Sequence, residues 1–298
     1  MPTFCCNFEG IHMKTFRFCL MAMIAASTWG TRAGTITSWT FENDAVAVNN
    51  SPAPSTGSGS ASSIGMNVYP TPNVGVTADD VLVGKNSDTG ANGVADTTNT
   101  WRIRAQAGSS GAANGWSSAA PIGTQGAVFA ASTAGYNSIN VSFDWYSTTQ
   151  GEANLQLQYT TDGTTWNNAP ITLAGSDSGL QVLSNNGSDA NTVTGSYVSD
   201  NLLANGSPAG QGWFTALTAA INDANAANDP NFAIEMVNAS TGADDVSTQG
   251  TALNNNSGNW RFDNVIISGT PVPEPATIGI LGVGCLALLR RRRRAILR

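Results

Sequence analysis

The sequence predicts an all-β fold: an antiparallel β-sandwich with one inserted helix, set between an N-terminal signal peptide and a C-terminal hydrophobic helix. Three observations predict it. Apolar residues in the middle of the chain fall in short runs that alternate with polar ones. Clusters of Gly, Asn and Ser separate those runs, as turns separate the strands of an antiparallel sheet with one solvated face. The two ends differ from the middle in charge, cysteine content and hydropathy.

At the N-terminus, Met13-Lys14-Thr15-Phe16-Arg17 is a basic stretch followed by the apolar Phe18 to Ala26. Thr31-Arg32-Ala33 then places small residues where signal peptidase acts, so residues 1–33 read as a signal peptide cut between Ala33 and Gly34. Met1 to His12, with Glu9 and the adjacent Cys5 and Cys6, suits a signal poorly. Met13 is therefore an alternative start, the other reading being a longer basic region.

Residues 34–270 read as the sandwich domain. Ile139, Val141, Phe143 and Trp145 share one face of a strand whose other face carries Asn140, Ser142, Asp144 and Tyr146. Leu155, Leu157 and Tyr159 repeat the pattern, as do Phe232, Ile234 and Met236. Weaker strands are expected at Ile36 to Glu42, Trp101 to Ala105, Ala127 to Ala131 and Thr192 to Val198. The inserted helix is expected over Gly212 to Ala227, where Trp213, Leu217, Ala220, Ile221 and Ala224 have helical spacing and Asn228-Asp229-Pro230 supplies a stop. Asn50 to Ser63 and Asn185 to Asn191 read as long loops. Tyr159 to Trp166 contains an Asp-Gly turn, a hairpin with Trp166 packed inward. In Trp260 to Gly269 the inward parity changes between Phe262 and Val265, which places a bulge at Asp263-Asn264.

The hairpin, the Asp229 to Asn238 strand and this closing strand together resemble the jelly-roll domains of secreted proteins. That resemblance implies first and last strands lying side by side, bringing Glu42 and Asp263 close enough to share a structural calcium with backbone carbonyls.

The C-terminus has three parts in order: Pro273-Glu274-Pro275, an uncharged apolar run Ala276 to Leu289, and the arginines Arg290, Arg291, Arg292, Arg293 and Arg294. The prolines interrupt any helix or ladder. As a helix, 276–289 spans about 21 Å, short of a hydrocarbon core of about 30 Å, and the arginines stop it on the cytoplasmic side. Residues 271–298 thus resemble the PEP-CTERM sorting signal of Gram-negative bacteria. The resemblance implies export, transient anchoring in the inner membrane, processing by an exosortase, and delivery to the cell surface or the extracellular matrix.

All four cysteines and the single histidine lie in the two ends. The body therefore has no disulfide, cysteine-ligated metal, thiol nucleophile or histidine acid–base chemistry. From Gly34 to Pro271 it carries four basic residues, Lys85, Arg102, Arg104 and Arg261, against eighteen carboxylates, a net −14 that excludes a nucleic-acid partner. Glu235 and Asp144, each on the polar side of its strand, are the best pair for glycoside hydrolysis, but nothing in the sequence brings them together and no catalytic residue is expected. Trp116, in a Gly/Ser/Ala-rich stretch, is the candidate exposed platform for a sugar ring. The function expected is that of an exported, non-enzymatic surface or exopolysaccharide-matrix protein that binds glycan. The alternative is a polysaccharide hydrolase or its accessory module. No cofactor beyond the candidate calcium is expected.

Overall fold

The structure, a computed structural model, describes residues 32–45, 49–65, 80–83, 99–104, 116–148, 150–172, 180–182, 197–199, 213–245, 247, 253–255 and 258–272. The sorting triplet Pro273, Glu274 and Pro275, the helix 276–289, Arg290 to Arg294, the signal segment before Arg32 and the loop Asn185 to Asn191 lie outside the described residues. Compact contacts divide the chain into Gly34–Gly269 and a second unit formed by Met1–Ala33 and Thr270–Arg298. The fold below is that of the first unit.

Its strands run β1 (Gly34–Trp39), β2 (Ser60–Ile64), β3 (Asp80–Val83), β4 (Asn99–Arg104), β5 (Trp116–Ser117), β6 (Gly126–Ala130), β7 (Tyr136–Ser147) and β8 (Asn154–Thr160). They continue as β9 (Asn167–Asn168), β10 (Leu180–Val182), β11 (Tyr197–Ser199), β12 (Phe214–Ala220), β13 (Ala233–Asn238), β14 (Asn254–Asn255) and β15 (Asn259–Pro271). Among the described residues, one sheet has the order β12-β7-β15-β4-β3, with β1 also pairing β15. The second has the order β10-β11-β8-β13-β6-β2, with β9 pairing β8, and a short β14-β5 ladder stands apart. We call the first two sheets A and B. The first and last strands do lie side by side, antiparallel, with Trp39 opposite Val265.

The alternation in the sequence becomes the core. Val141, Phe143 and Trp145 of β7 meet Leu155 and Leu157 of β8 and Ile234 and Met236 of β13 in one apolar cluster, so the two sheets pack face to face. Aromatic rings fill its centre. Trp101 contacts Phe129 edge-on at 5.7 Å between centroids, and Trp260 meets Trp145 edge-on at 5.4 Å, the geometry the ring quadrupoles favour. Trp260, Phe262, Val265 and Ile267 are all buried. The change of parity along β15 is absorbed where Asn264 takes a left-handed φ of 48°.

The expected helix over 212–227 is not formed. Its described part, from Trp213 onward, is strand β12 followed by a 3-10 turn at Ala224–Ala226. The reason is a bulge. Phe214 opposes Trp145 and Leu217 opposes Phe143, three steps on β12 against two on β7, and Ala216 takes a φ of 54°. One extra residue sets the buried Phe214 and Leu217 three positions apart, which imitates the spacing of a helix face. Further on, Leu217, Ala219 and Ile221 are buried at the strand period of two. The loop expected over Asn50 to Ser63 also ends early, because β2 begins at Ser60. Among the described residues no helix is long and apolar enough to cross a membrane.

Candidate functional site

The end of β1 was the expected calcium position. After Trp39 the chain turns through Phe41, whose left-handed φ of 59° directs its carbonyl to accept from the Asp44 N–H at 3.1 Å and from Asn99 Nδ2 at 3.2 Å. The second Asn99 Nδ2 hydrogen goes to the Asp44 carbonyl at 3.2 Å. The Asn99 backbone N–H donates to Glu42 Oε1 and Oε2 at 3.2 and 3.3 Å. Glu42 is itself exposed. Asp263 is fully buried and accepts from the backbone N–H of Asn264 at 2.8 Å. The carboxylate of Glu42 and the two carbonyls beside it are thus already acceptors for one asparagine on β4. Asn99 ties the β1 turn to sheet A by hydrogen bonds, the task expected of calcium. Among the described residues no three His, Cys, Asp or Glu side chains form a metal-holding group.

Trp116 is not a platform. It is 1% exposed and lies 4.6 Å from Trp260 between ring centroids. Its strand, β5, pairs with β14. Trp166 is half-buried and outside the core cluster, a departure from the inward packing expected of it. The turn before it forms as expected: Asp162 Oδ1 accepts from the N–H groups of Thr164 and Thr165 at 2.7 and 2.6 Å. Those donors hold the carboxyl below the usual carboxylate range.

Asp144 and Glu235 are not brought together. Both strands put their other residues into the shared core, so Asp144 lies on the outer face of sheet A and Glu235 on the outer face of sheet B. Asp144 accepts from the bulge N–H of Ala216 at 2.6 Å and from Asn264 Nδ2 at 3.0 Å. Glu235, 4% exposed, has no hydrogen-bond donor and no cation against it among the described residues, and burial alone lifts its carboxyl to about 7.

One pair was not visible in the sequence. Glu152 is fully buried and Asp245 is 1% exposed, and the two carboxyls meet side by side. Glu152 Oε1 accepts from the Asn154 N–H at 2.6 Å, and Asp245 Oδ1 from Ser240 Oγ at 3.4 Å. Glu152 Oε2 and Asp245 Oδ2 have no donor. Burial pushes both groups up, Asp245 to about 6 and Glu152 well above its ordinary value, where the proton Glu152 donates to Asp245 and the charge of Asp245 add to the rise. A proton shared between the two orphan oxygens satisfies both. The pair is closed from solvent and offers no access to substrate. It joins the segment before β8 to the one after β13.

Residues 271–294 match the model of the PEP-CTERM protein-sorting motif. No curated protein and no solved structure matches the chain. The motif marks an exported protein sorted by an exosortase, with a membrane-anchored precursor before processing.

Proposed function

We propose that the chain is a surface or exopolysaccharide-matrix protein with a non-catalytic, glycan-binding body of jelly-roll type. Signal peptidase frees the body at its start, and the C-terminal signal holds it at the inner membrane until exosortase releases it. The observation that carries the reading is the sorting motif at residues 271–294, joined to a body whose two best-placed acids face opposite ways. Pairing of β1 with β15 supports the jelly-roll assignment. Intact-mass analysis of the protein recovered from its native envelope and medium tests the route. The expected product begins near Gly34 and has lost the arginine tail. A product still ending at Arg298 makes the tail a retained anchor and overturns the processing step.

A hydrolase is the second reading, and one observation favours it: a Glu235 carboxyl near 7 is tuned as a general acid is. Hydrolysis of glycosides uses two carboxyls, about 5 to 10 Å apart. In the described rows of Glu235's face, no second carboxyl stands beside it. Incubation with polysaccharide is expected to release no reducing ends. Release that is lost in Glu235→Gln would establish the hydrolase.

A further inference from the structure

The last strand of the sandwich and the sorting motif share a residue. Strand β15 runs to Pro271, and the motif matches from residue 271 onward. The strand is not an edge. β7 flanks it in sheet A, and β1 pairs with its C-terminal half, Gly34 standing opposite Gly269 and Thr35 opposite Ser268. On the β7 side, Ser268 Oγ donates to the Asn140 carbonyl at 3.3 Å, and a Cβ at Gly269 would meet the Asn137 carbonyl oxygen at 3.0 Å. Burial then ends within three residues: Gly269 is buried, Thr270 and Pro271 are half-buried, and Val272 is 43% exposed. Only Thr270, Pro271 and Val272 separate the last paired residue from the Pro273-Glu274-Pro275 triplet.

Three extended residues reach about 10 Å. An enzyme that takes its substrate as an extended strand needs the backbone groups of that strand free. While β15 is paired, the groups just before the triplet are committed to the sheet, and the whole sandwich stands where the enzyme must approach. The end of the strand is nevertheless weakly held. Ile267 is its last side chain in the apolar core, and Ser268, Gly269, Thr270 and Pro271 add none. Gly34 and Gly269 have no side chains to pack across the ladder, Thr35 is exposed, and the β1 register shifts between Thr35 and Thr37. Opening the Gly34–Gly269 and Thr35–Ser268 pairs stops at Ile267 and lengthens the free chain before the triplet to five residues, about 17 Å.

From this geometry we infer that exosortase acts on a frayed form of the protein, in which Ser268 to Pro271 have left the sheet, and that the Gly34–Gly269 end of the sandwich is the gate that sets the rate of release. The inference rests on the processing route proposed above and adds the step that governs it. Cleavage of a locally opened chain follows the population of the open form when opening and closing are fast. Release is then slowest for the fully paired sandwich.

The test is pulse-labelling of the full-length chain in its native envelope, with precursor and product separated by mass. Directly opposite residues of an antiparallel pair lie about 4.5–5.5 Å apart by Cα, within the range that a disulfide bridges. The body has no cysteine of its own, so Thr35→Cys combined with Ser268→Cys locks the gate. The locked protein should lose its tail about tenfold more slowly than either single-cysteine variant or the same pair under dithiothreitol. A flexible Gly/Ser insertion between Val272 and Pro273 should return the locked protein to the natural rate, and in the chain without added cysteines it should speed release. An unchanged rate in the locked protein overturns the gate, as does a locked protein that the insertion fails to rescue. The insertion alone tests the gate without the lock, and no acceleration by it overturns the gate as well. A tail retained to Arg298 in the natural, reduced and insertion chains alike overturns the processing route itself.

Discussion

The two outer faces of the sandwich handle a buried acid in opposite ways. On sheet A, Asp144 receives the Ala216 N–H and the Asn264 amide. Its neighbour Tyr146 lies between Trp213, 5.5 Å away by ring centroid, and the Arg261 guanidinium at 4.9 Å. That face has matched its own polar groups to one another. On sheet B, burial alone acts on Glu235, and Gln156 keeps an orphaned oxygen. A carboxyl therefore has different meanings on the two faces: the Asp144 carboxylate is structural, holding a bulge, and the Glu235 carboxyl is shifted by burial alone.

The comparison breaks most visibly at Asp144. Asp144→Ala strands two donors and should cost about 2–4 kcal/mol, a fall in thermal midpoint of about 5–10 °C by calorimetry. Glu235→Gln should cost nothing at any pH. A loss for Glu235→Gln as large as for Asp144→Ala would erase the distinction.

The next effect is in pH. Glu235 near 7, Asp245 near 6 and Glu152, also raised, all bind protons more tightly folded than unfolded. Their stabilisation is fully present below the ordinary carboxylate range near 4 and is lost as pH rises through 6 to 7 and beyond. The thermal midpoint should fall by several degrees between pH 5 and pH 8.5. Glu152→Gln offers an amide N–H to the orphan Asp245 oxygen and should flatten much of that slope. Asp162 has the opposite sign, lowered by its turn donors, so what it contributes is lost only as pH falls below about 4.

The smallest effect is at the β1 corner. Glu42→Ala removes one exposed acceptor and should cost about 1 kcal/mol, whereas chelation with EDTA should leave the thermal midpoint unchanged. A drop on chelation that added calcium reverses would restore the cation at Glu42.

Much of this fold is legible because strand alternation survives into burial: Val141, Phe143 and Trp145, then Leu155 and Leu157, then Ile234 and Met236 all reach the core they point to. Where the sequence misleads, a local device has altered the period. The Ala216 bulge lends β12 the spacing of a helix. Strand β2 sends only Ala61 into the core from a Ser-rich run, too little to register as a strand. Trp116 looks exposed because its neighbours in sequence are small, yet its ring packs on Trp260. Glu235 is readable as a polar-side residue, but its lack of a partner is a property of Val128 and Gln158 across the ladders. Glu152 and Asp245 lie far apart in the chain, and no spacing joins them.

The measurement closest to the central claim is a side-chain 13C titration of the Glu235 carboxyl in the exported protein. With only burial acting on it, the midpoint is expected near 7. A midpoint near the ordinary carboxylate value of about 4.3 would mean that Glu235 is solvated and that the two faces do not treat their acids differently.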